Sequence, residues 1–202
     1  MKLYFSPGAC SLSPHIVVHE LGLDVEVEAV SLATKLTASG ADFKAVNPKG
    51  YVPALVLDNG ELLTEGAVIV QYLADLKPEA GLIAPAGSME RYRAQEWLNF
   101  IGAEIHKAFS PLFRKDCPEA WKTVVLTTLG ARLATIDAHL TKNSFLLGEH
   151  FSVADAYMFT CLGWSKWTGL DLSPFKHVGA YLARIAERPA VQAAMAAEKA
   201  AK

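Results

Sequence analysis

The sequence has few cysteines and little net charge, and both shortages exclude classes of protein. Only three cysteines occur among 202 residues: Cys10, Cys117 and Cys161. Because an odd number at wide spacing suits neither a disulfide scaffold nor a four-cysteine zinc site, we expect a reducing compartment. The 19 basic and 21 acidic residues give a net charge of −2 without a basic tract. We therefore expect no nucleic-acid partner and no binding to an anionic membrane surface.

Long hydrophobic runs are absent too. The run over residues 52–57 is far shorter than the roughly 20 apolar residues of a membrane-spanning helix. Pro7 interrupts the N-terminal apolar segment before a signal-peptide core can form. Hydrophobic residues nevertheless make up 51% of the chain, which is typical of a packed globular protein. The sequence thus predicts a cytoplasmic protein without a membrane segment.

The first 77 residues alternate between strand and helix signals. Apolar residues at helical spacing predict helices over residues 11–21, before Gly22, and over residues 67–76. Asn59-Gly60 predicts a hairpin with a type I′ turn. Short apolar or alternating segments predict strands over residues 2–6, 25–30, 54–57 and 61–63. The order β-α-β followed by β-β-α predicts a mixed four-stranded sheet with helices on its faces.

Strand signals disappear after a turn-rich segment over residues 78–87. Long helical patterns follow over residues 88–114 and 119–140, and Ser152 with Asp155 predicts a reciprocal helix cap. Two Ala-rich helices end the chain. We therefore expect an α/β domain at residues 1–77, a linker at 78–87 and an all-helical domain at 88–202.

Cys10 is the first candidate catalytic residue. It lies in the turn after the first strand, directly ahead of the helix-start signals Ser11, Ser13 and Pro14. The partial positive charge of a helix N-terminus stabilises a thiolate and lowers the pKa of a cysteine placed there. Free cysteine is usually a small buried hydrophobe, so position alone leaves both interpretations open. We expect Cys117 and Cys161 to be structural.

Two further turns suit a peptide-like ligand. A cis peptide bond between Val52 and Pro53 would expose the Val52 backbone to pairing with an extended ligand. Glu65 and Gly66 begin the next helix, where N–H groups suit a carboxylate and Glu65 can pair with an ammonium. An ordinary turn and an ordinary acidic helix start explain the same residues equally well.

The histidines give weaker signals. His15 and His19 are four residues apart on one predicted helix, but the sequence offers no third ligand at metalloprotease spacing, so we expect no metal. Asn99 and His106 lie seven residues apart on one face of the long helix, which would front the first domain. A polar stripe of this kind is otherwise a solvated helix face.

Together, these features resemble a glutathione transferase of the bacterial beta class. The most specific motifs are Pro-Gly-Ala-Cys-Ser-Leu-Ser-Pro at residues 7–14 and Leu-Thr-Glu-Gly at residues 63–66. The resemblance extends nearly end to end, over residues 1–17, 47–55, 63–75, 90–113, 151–157 and 181–191. It implies a thioredoxin-like N-terminal domain, an all-α C-terminal domain and a homodimer.

The resemblance also implies roles for particular residues. Cys10 matches the cysteine that faces the glutathione sulfur, and Val52 matches the residue whose backbone pairs with the cysteinyl part. Glu65 and Gly66 match the pair that holds the γ-glutamyl end, and Lys35 matches the basic residue near the glycyl carboxylate. The ligand-approaching and interface residues of the helical domain correspond to Asn99, Ala103, Glu104, Ile105 and His106.

Three positions depart from the family pattern. Phe5 stands where many relatives have Tyr, and strand alternation points Tyr4 to the opposite face. Gly66 stands where Ser is common, so a backbone N–H remains without a side-chain oxygen. Ala103 lacks a hydroxyl that would strengthen the polar network around Glu104.

The implied activity is conjugation of reduced glutathione to hydrophobic electrophiles, with glutathione as co-substrate and no other cofactor. A thiolate near the first helix would attack the electrophile while His106 orients the tripeptide. Thiol–disulfide exchange or peroxide reduction would instead use Cys10 as the nucleophile. We expect the electrophile between the domains, against Phe109, Leu112, Phe113 and Trp164. A non-catalytic binding module is the alternative hypothesis.

Overall fold

The structure, a computed structural model, describes residues 1–201 of the chain. It divides into two compact units. The first contains Met1–Ile83 together with the segment that begins at Glu187, and the second is Ala84–Ala186. Among the described residues, no helix is both long and apolar enough to cross a membrane.

The first unit contains the mixed four-stranded sheet that the sequence predicts. Its strands are β1 (Lys2–Phe5), β2 (Glu26–Ala29), β3 (Ala54–Val56) and β4 (Leu62–Thr64), in the spatial order β2-β1-β3-β4. β1 pairs with β2 in parallel and with β3 antiparallel, and Leu3 lies opposite both Val27 and Leu55. This arrangement places the carboxyl end of β1, and the turn that carries Cys10, near the start of β3.

Strand alternation sets the two faces of β1 as expected. Tyr4 contacts Phe43, with ring centroids 5.5 Å apart. Phe5 contacts His15 on α1, with centroids 5.2 Å apart. The two aromatic side chains therefore pack into different parts of the core, and Tyr4 does not replace the hydroxyl that Phe5 lacks.

The predicted hairpin forms, but its turn is not type I′. Leu57 accepts a hydrogen bond from the backbone N–H of Gly60 and donates its own N–H to Glu61. Gly60 has φ 85, whereas Asn59 is not among the described residues with positive φ. A type I′ turn needs positive φ at both positions. The loop is instead one residue longer, and only Gly60 takes up the left-handed conformation.

In the described part of the chain, the first unit contains four α-helices. They are α1 (Leu12–Leu21), the four-residue α2 (Phe43–Val46), α3 (Gly66–Asp75) and α10 (Pro189–Ala200). Gly22, with φ 55, ends α1 as predicted. The sequence patterns do not predict α2. Its N-cap is Asp42, whose side chain accepts a hydrogen bond from the Lys44 N–H at 2.9 Å. Four residues are too few to show helical periodicity.

The last helix belongs to the first unit, whereas the predicted helical domain was 88–202. α1 is buried along nearly its whole length and packs against both α3 and α10. A helix that is apolar on most sides needs a second layer of cover. Polar contacts reinforce this layer: Arg188 donates to both carboxylate oxygens of Glu20, at 2.6 and 2.8 Å.

The second unit is helical, in agreement with the sequence. The predicted helix over residues 88–114 is α4 (Met89–Phe100), a wide π-helical turn (Ile101–His106), α5 (Lys107–Phe109) and a 3₁₀ turn (Ser110–Phe113). It is followed by α6 (Glu119–Leu140), α7 (Val153–Gly163), α8 (Ser165–Thr168) and α9 (Lys176–Ala186). The predicted cap at Ser152 and Asp155 is present at the start of α7.

Candidate functional site

Cys10 lies in the turn between β1 and α1, where the sequence predicts it. Its side chain is half-buried, and the thiol donates a hydrogen bond of 3.2 Å to the carbonyl oxygen of Val52. The hydroxyl of Ser13 donates to the carbonyl oxygen of Cys10 at 2.9 Å. The thiol therefore lies near the start of β3, whereas free cysteines usually pack in the core.

Three predicted segments of the first unit come together around this thiol. The Val52–Pro53 peptide bond is cis, as expected. A Cβ built on Gly66 would lie 3.5 Å from Cγ of Pro53 and 3.8 Å from Oγ of Ser13. The first residue of α3 thus borders both the proline turn and the start of α1.

Lys35 and Glu65 share an unusual backbone conformation. Among residues 1–201, they are the two non-glycine residues with positive φ, at 61 and 69 respectively. Such conformations cost of order 1–3 kcal/mol and cluster at ligand sites, where the surrounding structure enforces them. Both residues were assigned to glutathione by the resemblance, which did not use backbone geometry.

Two lysines lie at or near the positive-φ residues. Lys35 is half-buried, and its Nζ donates to the carbonyl oxygen of Gly50 at 3.0 Å. The Nζ of Lys49 lies 3.1 Å from the hydroxyl of Thr64 and 3.2 Å from the carboxylate of Glu65. No sequence signal assigned Lys49, although it lies within the resembling segment over residues 47–55. Its position beside Glu65 could have been inferred only from the fold.

His15 packs into the first unit next to the Cys10 turn. Its Nδ1 lies 3.3 Å from the carboxylate of Glu198, which also accepts the Gly8 N–H at 2.8 Å. Burial and the neighbouring His15 lower the pKa of His19. Because its Nδ1 contacts Glu198 of α10, we interpret His15 as a structural residue that helps to hold α10 against α1.

The remaining predicted residues lie in the second unit, on α4 and the π-helical turn. Asn99 and Ala103 are exposed, whereas Ile105 is fully buried and its side chain packs in the interior. Glu104 accepts from Nε of Arg132 at 2.9 Å. The wide turn interrupts the predicted helix between Asn99, which is exposed, and His106, which is half-buried.

His106 is surrounded by aromatic side chains. Its Nδ1 lies 2.6 Å from the hydroxyl of Tyr157, and its ring centroid is 4.9 Å from Trp164. Trp164 also makes edge contacts with Phe109 and Phe113, at 5.5 and 5.6 Å. Three of the four predicted electrophile-lining residues therefore form one aromatic cluster beside His106. Tyr157 was not predicted, although it closes one of the resembling segments.

The other two cysteines are buried, as expected for structural residues. Cys161 has no exposed surface and Cys117 is 9% exposed. Neither forms a disulfide.

Comparison with known proteins gives the same family for both units. Residues 8–76 match the model of the glutathione S-transferase N-terminal domain, and residues 100–189 match that of the C-terminal domain. Glutathione S-transferase GstA of Escherichia coli O157:H7 is 48% identical over 198 residues, which are 98% of each chain.

Solved structures extend the match to the whole fold. A sphingomonad glutathione S-transferase complexed with glutathione is 46% identical, with a TM-score of 0.95 over 98% of this chain and 99% of that one. The bacterial beta-class enzyme of Sphingomonas chungbukensis is 47% identical, with a TM-score of 0.95 over 98% of both chains. The chain belongs to the glutathione S-transferase family and is a transferase of its bacterial beta class.

Proposed function

We propose that this transferase binds the two charged ends of glutathione with Lys35 and Glu65. The observation that carries the proposal is their shared positive φ, because strain of this kind persists where the surrounding structure fixes a binding geometry. The contacts proposed for glutathione in the first unit are those of the resemblance: Cys10, Lys35, Val52, Glu65 and Gly66. In the second unit the resemblance assigns Asn99 and His106 to the ligand, and Ala103, Glu104 and Ile105 to the contact across the subunit interface.

Each end of the tripeptide meets a group of opposite charge in this proposal. The ammonium of Lys35 pairs with the glycyl carboxylate. Glu65, whose side chain is 70% exposed beside Lys49, pairs with the γ-glutamyl ammonium, and the backbone N–H of Gly66 at the start of α3 receives the neighbouring carboxylate. Opposite charges at the two ends fix the direction of the ligand, so that its sulfur reaches Cys10.

The proposed conjugation uses the glutathione thiolate as the nucleophile. Its sulfur bonds to an electrophilic carbon while the leaving group departs with the electron pair, and His106 orients the tripeptide. The aromatic cluster of Phe109, Phe113 and Trp164 supplies an apolar surface for the electrophile. Of the three, Phe113 is 52% exposed and is open to a ligand, whereas Phe109 and Trp164 are buried.

Cys10 supports a second, redox activity in this proposal. Its thiolate attacks the glutathione sulfur of a mixed-disulfide substrate, which forms a mixed disulfide between Cys10 and glutathione and releases the other half of the substrate as a thiolate. A glutathione thiolate then attacks the glutathione sulfur of this adduct, which restores the Cys10 thiolate and releases oxidised glutathione. The half-buried position of the thiol beside Val52 leaves it accessible for this exchange.

Replacement of Cys10 separates the two activities. In Cys10→Ala, we expect exchange with a mixed-disulfide substrate to fall at least tenfold, whereas conjugation of an aryl halide stays within about threefold of the wild type. Mass spectrometry after treatment with oxidised glutathione should find one glutathione adduct, on the Cys10 peptide. Equal loss of both activities, or of neither, contradicts the proposed division. Cys161→Ala, at a buried thiol, is the matched control.

We also propose that the protein is a cytoplasmic homodimer. None of its three cysteines forms a disulfide, which suits a reducing compartment where glutathione is abundant. Large apolar side chains are exposed in each unit, among them Tyr51 at 70% and Met89 at 63%, and such residues are enriched in interfaces. Light scattering on the purified protein should give twice the chain mass of 21.8 kDa. A monomer at micromolar concentration contradicts this proposal.

A further inference from the structure

The imidazole of His106 is held on two sides by aromatic residues of its own unit. The hydroxyl of Tyr157 lies 2.6 Å from Nδ1, and the two rings meet edge to face at 88°. Trp164 packs against the imidazole at 64°, with centroids 4.9 Å apart. Contacts at two edges restrict rotation of the ring about its bond to Cβ. Its orientation is therefore fixed by neighbours rather than left to solvent.

Tyr157 comes from a rigid part of the second unit. It is 5% exposed and lies in the first turns of α7. Two residues earlier, Asp155 accepts from the backbone N–H groups of Leu146 and Ser152, at 2.9 and 2.8 Å. The hydroxyl of Tyr181 donates to the same carboxylate at 2.9 Å. The helix that carries Tyr157 is thus fastened to its surroundings by a buried carboxylate.

The π-helical turn brings His106 to this phenol. The turn spans Ile101–His106, and turns of this kind are frequent at functional sites because they re-aim side chains within a helix. Gly102 belongs to the same turn, and a Cβ built on it would lie 3.8 Å from the Tyr157 hydroxyl. A methyl group at this position would therefore meet the phenol at an ordinary contact distance.

The hydrogen-bonding capacity of the pair links the phenol to the position of the imidazole proton. A tyrosine hydroxyl can donate to an unprotonated imidazole nitrogen or accept from a protonated one, so the 2.6 Å contact fits either neutral tautomer. The nitrogen that accepts a hydrogen bond carries no proton, and a neutral ring then carries its proton on the other nitrogen. Donation from Tyr157 to Nδ1 would place the proton of His106 on Nε2.

We propose that Tyr157 is a positioning residue, which orients His106 and holds it in the Nε2–H tautomer so that the ring offers a hydrogen-bond donor to glutathione. This inference rests on the proposed function, which assigns His106 to the tripeptide. The effect of Tyr157 on the reaction passes through the imidazole.

The ring nitrogens report this arrangement directly. In ¹⁵N spectra of the whole protein, with His106 identified by the signal missing from His106→Gln, we expect a protonated Nε2 and an unprotonated, hydrogen-bonded Nδ1. In Tyr157→Phe, the Nδ1 resonance should move to the value of an unbonded nitrogen. Tyr181→Phe removes another buried hydroxyl while Asp155 keeps its backbone donors, so it should leave the His106 resonances in place. A protonated Nδ1 in the wild type overturns the proposal.

Kinetics test the consequence for catalysis. Loss of one net hydrogen bond corresponds to about a three- to tenfold effect, so kcat of Tyr157→Phe should fall by about this factor while KM for glutathione stays within twofold. Because Tyr157 acts through His106, the double variant Tyr157→Phe with His106→Ala should be no slower than His106→Ala alone. A wild-type rate in Tyr157→Phe, or fully additive losses, overturns the proposal.

A second pair of variants gives a result even if Tyr157→Phe folds poorly. His106→Gln places an amide N–H near the position of Nε2, whereas His106→Asn places one near that of Nδ1. We expect the Gln variant to retain at least threefold more conjugating activity than the Asn variant, and the reverse order overturns the Nε2–H assignment. Unchanged conjugating activity in His106→Ala would instead overturn the role of His106 in the proposed function. Reduced activity in His106→Ala together with wild-type activity in Tyr157→Phe would overturn only the present inference.

Discussion

The thiol of Cys10 donates a hydrogen bond to the carbonyl oxygen of Val52, 42 positions away in the sequence, at 3.2 Å. The carbonyl that accepts it belongs to the residue proposed to pair with the backbone of glutathione. The same acceptor therefore serves the protein's own thiol and the proposed ligand.

Replacement of Cys10 should show how much this hydrogen bond contributes to the free energy of unfolding. Cys10→Ala leaves the Val52 carbonyl without the thiol donor, and we expect the free energy of unfolding to fall by about 1 kcal/mol. Cys10→Ser keeps a hydroxyl donor and should lose about 0.5 kcal/mol or less. Urea denaturation of the three proteins measures both values. Equal losses in the two variants would show that the bond to Val52 contributes nothing to stability.

A hydroxyl at position 66 should strengthen glutathione binding. Gly66 does not have positive φ, and a Cβ there meets its neighbours at ordinary contact distances of 3.5 Å or more. Gly66→Ser should therefore fold normally and bind glutathione about three- to tenfold more tightly, because it adds one hydrogen-bonding group. Calorimetric titration measures the affinity.

Gly66→Ala is the matched control for this change. Both substitutions reduce the freedom of the unfolded chain at the start of α3 and should raise stability by about 0.5 kcal/mol. Only the serine adds an oxygen. An equal gain of affinity in both variants would assign the effect to rigidity rather than to the hydroxyl.

Glu28 should make stability depend on pH in the acid range. The hydrogen bond from Lys2 and those from Ser39 lower the pKa of Glu28 to about 2, below the ordinary 4.5. A carboxyl whose pKa is lowered by folding stabilises the protein above its unfolded pKa and loses that contribution as pH falls. Glu28→Gln should therefore cost about 1 kcal/mol at pH 7, and the difference from the wild type should vanish between pH 4.5 and 2.

Glu26→Gln tests whether this effect is specific. Glu26 also contacts Lys2, at 2.8 Å, but its side chain is 67% exposed against 11% for Glu28. Exposed ion pairs contribute little, so we expect a change within about 0.5 kcal/mol at every pH. Thermal unfolding across the pH series measures the stability of both variants. Equal losses of stability in Glu26→Gln and Glu28→Gln would contradict the prediction.

Asp155 should be among the most sensitive positions of the second unit. Its carboxylate accepts from the Leu146 and Ser152 N–H groups and from two hydroxyls, those of Ser152 and Tyr181. Removal of all these acceptors in Asp155→Ala should cost about 3 kcal/mol or more, because several buried donors lose their partner. Asp155→Asn keeps one carbonyl oxygen and should cost clearly less. Chemical denaturation distinguishes the two.

The same residue gives a pH dependence of the opposite sign to that of Glu28. Burial raises the pKa of Asp155 above the ordinary 3.8, although its four hydrogen bonds oppose the shift. A carboxyl whose pKa is raised by folding contributes most below its unfolded pKa and loses that stability as pH rises through its folded pKa. Stability of Asp155→Asn should therefore decline less than that of the wild type as pH rises from 3.8.

Local sequence patterns were sufficient for much of the fold because their causes are local. Alternation placed Tyr4 and Phe5 on different faces of β1, and Gly22 ended α1 because it tolerates the left-handed conformation. The Ser152 and Asp155 cap depends on residues three positions apart. The glutathione residues, by contrast, came from motif resemblance, since composition and periodicity left ordinary turns as an equal explanation.

The sequence by itself thus determined the sheet, the long helices, the Cys10 turn and the family, since each is encoded by neighbouring residues or a contiguous motif. Tertiary structure decided what depends on distant partners. Glu198 joins α10 to Gly8 across 190 positions, and Tyr157 meets His106 across 51. It also imposed positive φ on Lys35 and Glu65, which no residue preference would predict. Contacts and strain of this kind arise only when separate segments pack and overrule local preference.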